Sequence, residues 1–241
     1  MRSFLIIVFI LIYLIATLPV LLVLHFIRKK DVKKAERITH ACMCFVLKGI
    51  AFLAGVKLTV IGLDKVPDVP VLYISNHRSF FDTVLTYPLC KLPTSYVAKS
   101  DLKNIPLFGA WAVMMRVLLF DRNNMKDSLR MILEGISYLK DDTSVYIFPE
   151  GTRNKNESQT PLLEFHDGSF KLASKSGCPV IPVAISHTAD IWEAHKPWVY
   201  STNVTITYGD PIYMKDLPAD AKAHPGAYMK NMEFTNFSLS I

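Results

Sequence analysis

The chain has 241 residues, 51% of them apolar and 11% aromatic, enough for one domain of ordinary size with a real core once an apolar N-terminal segment is set aside. Its formal net charge of +6 favours anionic partners: phosphate-bearing ligands, anionic lipid or nucleic acid. Without a zinc-finger spacing, an RNP-type signature or a long basic helix, nucleic acid is set aside.

Residues 4–26 read FLIIVFILIYLIATLPVLLVLHF, long enough to cross a bilayer core, which takes roughly 20 residues as a helix. The run exceeds a signal-peptide core and has no A-x-A-like site after it, so it is expected to remain as an anchor, kinked at Pro19. The flank after it, Arg28-Lys29-Lys30-Asp31-Val32-Lys33-Lys34, places the rest of the chain on the cytoplasmic side and attracts anionic headgroups. A second apolar stretch, 38–56, is interrupted by His40, Lys48 and Gly49 and predicts an amphipathic or interfacial helix. Two arrangements are compatible with this: a single span with the N-terminus outside, or a helical hairpin dipping into one leaflet.

From about residue 58 the pattern changes to short apolar runs alternating with helical periodicity. Strands are expected at 57–61, 69–75, 95–98, 116–120, 144–148, 180–185 and 203–208, and helices at 80–89, 107–114, 126–140 and 168–176. Ser79 is a good N-cap for the first of these helices. The alternation predicts an α/β fold: a mixed, partly parallel sheet flanked by helices, behind an N-terminal membrane-anchoring helical segment. The domains are thus 1–57, the anchor, and 58–241, the α/β domain. The tail after Pro211 reads as loop, one short helix and a loose end. Cys42, Cys44, Cys90 and Cys178 form no CxxC pair or zinc set, so free thiols in a reducing compartment are expected and metal ligands are not. Sequons at Asn156, Asn203 and Asn236 would matter only in a secreted chain.

Two polar clusters each come directly after an expected strand, where ligands of such sheets sit. The first is Asn76-His77-Arg78-Ser79-Phe80-Phe81-Asp82. Its His and Asp stand five positions apart, wrong for one helix face, so they meet only across a turn. Such a turn lets Asp82 hold one imidazole nitrogen and leaves the other free as a general base. On spacing alone, a plain surface turn is the commoner outcome. The second cluster, Phe148-Pro149-Glu150-Gly151-Thr152-Arg153, turns sharply at Pro and Gly and presents a carboxylate beside a guanidinium.

These two blocks, in this order and with Val180-Ile181-Pro182-Val183 after them, resemble the glycerolipid acyltransferases, above all the bacterial 1-acylglycerol-3-phosphate acyltransferases of phospholipid biosynthesis. Between them, Val117-Leu118-Leu119-Phe120-Asp121-Arg122 is similar to the family's apolar strand ending in arginine, and Ala98-Lys99-Ser100-Asp101-Leu102 to the segment before it. The resemblance spans about residues 58–190 and makes 58–241 an acyltransferase domain.

The resemblance implies transfer of a fatty acyl group to the free sn-2 hydroxyl of lysophosphatidic acid, giving phosphatidic acid. Acyl-CoA or acyl-carrier protein would serve as co-substrate, with no cofactor. His77 would be the general base and Asp82 would orient it. Arg153, Arg122 and Lys99 would meet the acceptor phosphate, which suits the planar fork of arginine. Glu150 would bond a glycerol hydroxyl or hold an arginine, and Gly151 would serve the turn. The amides of Arg78 and Ser79 are candidate oxyanion donors. The membrane bilayer is the expected partner, at the cytoplasmic face of the inner membrane. An alternative is an acyltransferase for another lysophospholipid or a lipid alcohol. A lipid-binding protein on a degenerate acyltransferase fold would have lost the His, Asp or Glu, and all three are present. One departure stands out: where many relatives carry lysines before a glycine, this chain has Phe165-His166-Asp167-Gly168, which lowers the local positive charge. His166, His187 and His195 read as exposed or structural.

Overall fold

A computed structural model describes residues 1–121, 123–156 and 162–231. The N-terminal run forms two helices, α1 (Arg2–Ala16) and α2 (Leu18–Lys30), bent by 50° at Thr17. Pro19 sits in the first turn of α2, where its missing N–H costs nothing. The expected kink is therefore a full break. α3 (Val32–Ala54) starts earlier than the predicted 38, because the Asp31 carboxylate accepts the Lys34 N–H at 2.9 Å and caps the helix. Gly55, left-handed at φ 72°, ends it. α3 alone, and α1 with α2 together, are long and apolar enough to cross a membrane.

Both ends of this helical hairpin touch the domain. Ser3 accepts the Val199 N–H at 2.9 Å, Arg28 donates to the Val113 carbonyl, and Lys33 pairs with Asp142 at 2.7 Å. The start of α1 thus lies against the domain. Tyr13 donates to the Cys42 carbonyl at 3.0 Å and ties α1 to α3.

The predicted strands all form, β2, β4 and β5 with trimmed ends and β3 and β6 slightly longer: β1 (Lys57–Ile61), β2 (Leu72–Ser75), β3 (Thr94–Lys99), β4 (Leu118–Phe120), β5 (Ser144–Ile147), β6 (Val180–Ser186) and β7 (Asn203–Tyr208). β2 begins after Pro70, which lacks the donor a ladder needs. The order is β1-β7-β6-β2-β5-β3-β4; the β6–β7 pairing alone is antiparallel, so five strands run one way and β7 and β1 the other. The helices are α4 (Phe81–Thr86), α5 (Phe108–Met114), α6 (Met125–Leu139), α7 (Lys171–Ser176), α8 (Ala219–Ala223) and α9 (Pro225–Met229). The tail therefore carries two short helices up to its last described residues.

Strand alternation sorts the core into two layers. Leu72, Ile74, Val145 and Ile147 face the side of α6 and α7, while Tyr73, Tyr146 and Tyr96 face α3 and α4. Every residue of β2, β5 and β6 is buried, as a sheet covered on both faces requires. Ile6, Leu24, Val46 and Ile50 from α1 to α3 join the second layer, so the N-terminal helices share a core with the sheet.

Candidate functional site

The carboxyl ends of β2, β5 and β6 lie side by side on one edge, and all the site's turns leave from there. At the end of β2, Asn76 takes the Ile185 N–H on Oδ1 and donates Nδ2 to the Ile185 carbonyl, both at 2.8 Å. Its side-chain amide stands in for one more strand residue against β6, so the backbone is free to turn at His77.

The turn closes on Asp82. Its Oδ2 accepts three N–H groups at 2.8 Å each, from His77 Nδ1, the Arg78 amide and the Ser79 amide. Oδ1 accepts the Thr188 hydroxyl at 2.5 Å. The pair proposed from spacing is therefore in hydrogen-bond contact, and with Nδ1 donating, Nε2 carries the imidazole lone pair. The same geometry corrects the oxyanion assignment, because the Arg78 and Ser79 amides are spent on the carboxylate. Ser79 is not the N-cap residue itself; α4 starts at Phe81, whose N–H donates to the Ser79 hydroxyl at 3.0 Å. Asp82 is 1% exposed and His77 20%, so the pair has one dry end and one wet end. Phe148 lies flat on the imidazole, centroids 4.0 Å apart and planes 16° off parallel, and fixes its plane.

The turn after β5 is built against the first. Glu150 Oε1 accepts the His77 backbone N–H at 2.7 Å and Oε2 the Leu163 N–H at 3.0 Å. Both oxygens thus hold backbone, a different employment from the glycerol or arginine contact expected of it. Burial lifts its carboxyl above the ordinary glutamate range; the two amide bonds pull the other way without cancelling it. Gly151 has φ 67°, and a Cβ there would sit 3.1 Å from the His166 ring. The Asn154 N–H donates to the His77 carbonyl at 2.7 Å, and the buried Arg78 guanidinium donates to the Asn156 carbonyl at 2.5 Å.

Arg153 reaches the same mouth. Its Nη1 lies 3.2 Å from Glu193 Oε1, with 44% of its side chain exposed. Lys99 ends β3, two strands from β2 and so roughly 10 Å away in the sheet plane. It is 62% exposed, pairs with Asp101 at 3.6 Å, and lines a depression with Phe120 and Asn123. Arg122 lies outside the described residues, as do Asn236 and its sequon. The structure thus brings His77, Asp82, Glu150, Gly151 and Arg153 together and leaves Lys99 farther along the edge. Asp167, the departure, accepts the Gly226 N–H at 2.8 Å and anchors α9. His166 and His187 are exposed, the latter 3.1 Å from Asp190. Among the described residues no three His, Cys, Asp or Glu side chains are placed to hold a metal ion.

Sequence reasoning missed Thr188 and Glu193. Thr188 stands two residues beyond β6, at the strand end where ligands gather, and that position was the available signal. Glu193 sits in a 3-10 turn with no pattern to mark it.

The Acyltransferase family model matches residues 57–186. The chain is 37% identical over 164 residues to the 1-acyl-sn-glycerol-3-phosphate acyltransferase of Escherichia coli, covering 66% of this chain and 65% of that one. It is 33% identical over 163 residues to the chloroplastic 1-acyl-sn-glycerol-3-phosphate acyltransferase BAT2 of Brassica napus, covering 65% of this chain and 45% of that one. The chain thus spans under two thirds of the length of these curated relatives. Its fold is similar to the crystal structure of the 1-acyl-sn-glycerophosphate acyltransferase PlsC of Thermotoga maritima, with TM-score 0.73, 22% identity and 95% and 93% of the two chains covered.

Proposed function

This chain belongs to the Acyltransferase family, and we propose that it transfers a fatty acyl group from acyl-CoA or acyl-carrier protein to the sn-2 hydroxyl of 1-acylglycerol-3-phosphate, forming phosphatidic acid. The observation that carries this reading is the 2.8 Å contact of His77 Nδ1 with a buried Asp82, at the mouth where Arg153 also stands. His77 Nε2 takes the proton of the lipid hydroxyl as its oxygen attacks the thioester carbonyl carbon. Asp82 holds the ring in the right tautomer and offsets the positive charge it gains. The tetrahedral intermediate collapses, the carbon–sulfur bond breaks, and the leaving thiolate recovers the proton from His77. The substrate supplies the nucleophile, and the sequence has no G-x-S-x-G elbow.

Arg153, with Arg122 and Lys99 as further cations, meets the acceptor phosphate. Glu150 acts through the backbone: it fixes the His77 amide and so the origin of the imidazole. The apolar hairpin of α1 to α3 seats the domain on the cytoplasmic face of the inner membrane, where acceptor and product dissolve in the bilayer. The names of the similar proteins support this acceptor over another lysophospholipid or a lipid alcohol.

The test is turnover by the purified full-length protein on lysophosphatidic acid, compared with other lysolipids and with each donor. His77→Ala is expected to lower it by about 100- to 10,000-fold with the fold intact, the range of a lost general base. Turnover near that of the wild type in this variant would overturn the mechanism.

A further inference from the structure

Glu193 opens the 3-10 turn Glu193–His195, and only 15% of its side chain is exposed. Its Oε2 accepts the Ser79 hydroxyl at 2.5 Å, and its Oε1 accepts the Phe80 N–H at 2.9 Å. The same Oε1 pairs with Arg153 at 3.2 Å. The first two contacts pin the carboxylate to the turn between His77 and Asp82. The third differs in kind: one nitrogen of a half-exposed guanidinium, which among the described residues has no other partner. A pair of that exposure is weak and screened by salt.

A phosphate monoester outbids this contact. It offers three acceptor oxygens and close to two negative charges, and a guanidinium grips it through two parallel N–H bonds. When Arg153 leaves, Glu193 keeps the Ser79 and Phe80 donors, so no carboxylate is stranded without partners.

We propose that Glu193 is the resident counter-ion of Arg153. It holds the guanidinium at the mouth of the site and yields it to the phosphate of the acceptor. An acceptor without that dianion leaves Arg153 where it is and gains nothing from it, so the exchange favours phosphomonoester lipids. The inference rests on the proposed phosphate-bearing acceptor, and makes Glu193 a positioning residue for it.

Glu193→Gln removes the charge and keeps the shape: its carbonyl oxygen accepts the Phe80 N–H and its NH2 meets the Ser79 hydroxyl. KM for lysophosphatidic acid and for acyl-CoA is measured in the full-length wild type, E193Q, R153A and the double variant. The expected result is a KM for lysophosphatidic acid lower by roughly 2- to 5-fold in E193Q, the worth of a half-exposed ion pair. The KM for acyl-CoA stays in place, and the gain vanishes in the R153A background. An unchanged or higher acceptor KM, or the same ratio in both backgrounds, overturns the exchange and leaves Glu193 as a brace of the turn. Calorimetric binding of inorganic phosphate separates the two possible failures. If the wild type turns over no lysophosphatidic acid, the acceptor reading fails, yet tighter phosphate binding by E193Q still supports the exchange. Equal phosphate binding by the two proteins overturns it.

Discussion

Glu150 is 4% exposed and gives one carboxylate oxygen to the backbone N–H of His77 and the other to that of Leu163. A glutamine offers one oxygen and would turn its NH2 toward the second N–H, donor against donor. Glu150→Gln is expected to lose about 1–3 kcal/mol of stability from the amide left unpaired. With the His77 turn loosened, turnover should fall about tenfold or more. Burial also gives the effect a pH dependence. The carboxyl is raised above its ordinary range, so the folded state binds its proton more tightly than the unfolded state does. The contribution of this group is then full below the unfolded value and is lost as pH rises through the folded one. The gap in unfolding midpoint between wild type and E150Q should narrow from about pH 4 to pH 7. A gap that widens over that range would reverse the sign and sink the argument. At this scale the His77–Asp82 contact was legible, because five residues of turn chemistry carry it. The partners of that turn were not. Thr188 lies 106 positions from Asp82 and Glu193 lies 114 from Ser79, and only the sheet order brings them together.

α3 shows what patterning reads in an element and what it misses. Its apolar stripe was visible from residue 38, but Lys33 and Lys34 belonged to a basic flank read as meeting anionic headgroups, so its first two turns were not expected to be helical. Glu36 is in fact buried, because Arg116 reaches it from the segment leading into β4, with Nη1 2.6 Å from Oε1. The same guanidinium lies over the Tyr138 ring of α6 at 3.7 Å, and 3.5 Å from Asp141. One arginine therefore ties α3, the β4 edge and α6. Glu36→Ala favours helix formation by intrinsic propensity, yet leaves a largely desolvated arginine short of its main partner. We expect it to cost about 3 kcal/mol, read by denaturant unfolding of the solubilised protein. A change under about 0.5 kcal/mol would put the pair in the ordinary surface class and refute the tie. The strands were easier to read than α3 because burial on both faces forces apolar runs, and apolar runs are what a sequence displays.

On the scale of the whole molecule, the N-terminal helices do two jobs that the division at residue 57 separates. Ile6, Tyr13, Leu24, Val46 and Ile50 pack into the same core as Tyr73 and Trp111, so removing residues 1–56 would open the domain as well as detach it. Yet α1 is apolar on its outer side too. Phe4, Ile7, Leu11 and Ile15, at helical spacing, are each more than half exposed, and Leu22, Val23 and Phe26 continue the surface along α2. A helix apolar all round is at home only with apolar matter on both sides, and a patch of this size marks a contact surface. Arg28, Lys29 and Lys30 close α2 beside it, where anionic headgroups would sit. With both hairpin ends on the domain, we expect this surface to enter one leaflet rather than cross two. Replacing Ile7, Leu11 and Ile15 together with serine removes apolar area from the outer side and leaves the core residues in place. Association with anionic liposomes, measured by flotation, should weaken by about 100-fold or more. The unfolding free energy in detergent should move by no more than about 1 kcal/mol, mostly the lower helix propensity of serine. If the triple variant floats as well as the wild type, the outer side of α1 is not the membrane face, and the exposed Ile105, Phe108 and Val113 at and before α5 would have to hold the bilayer instead.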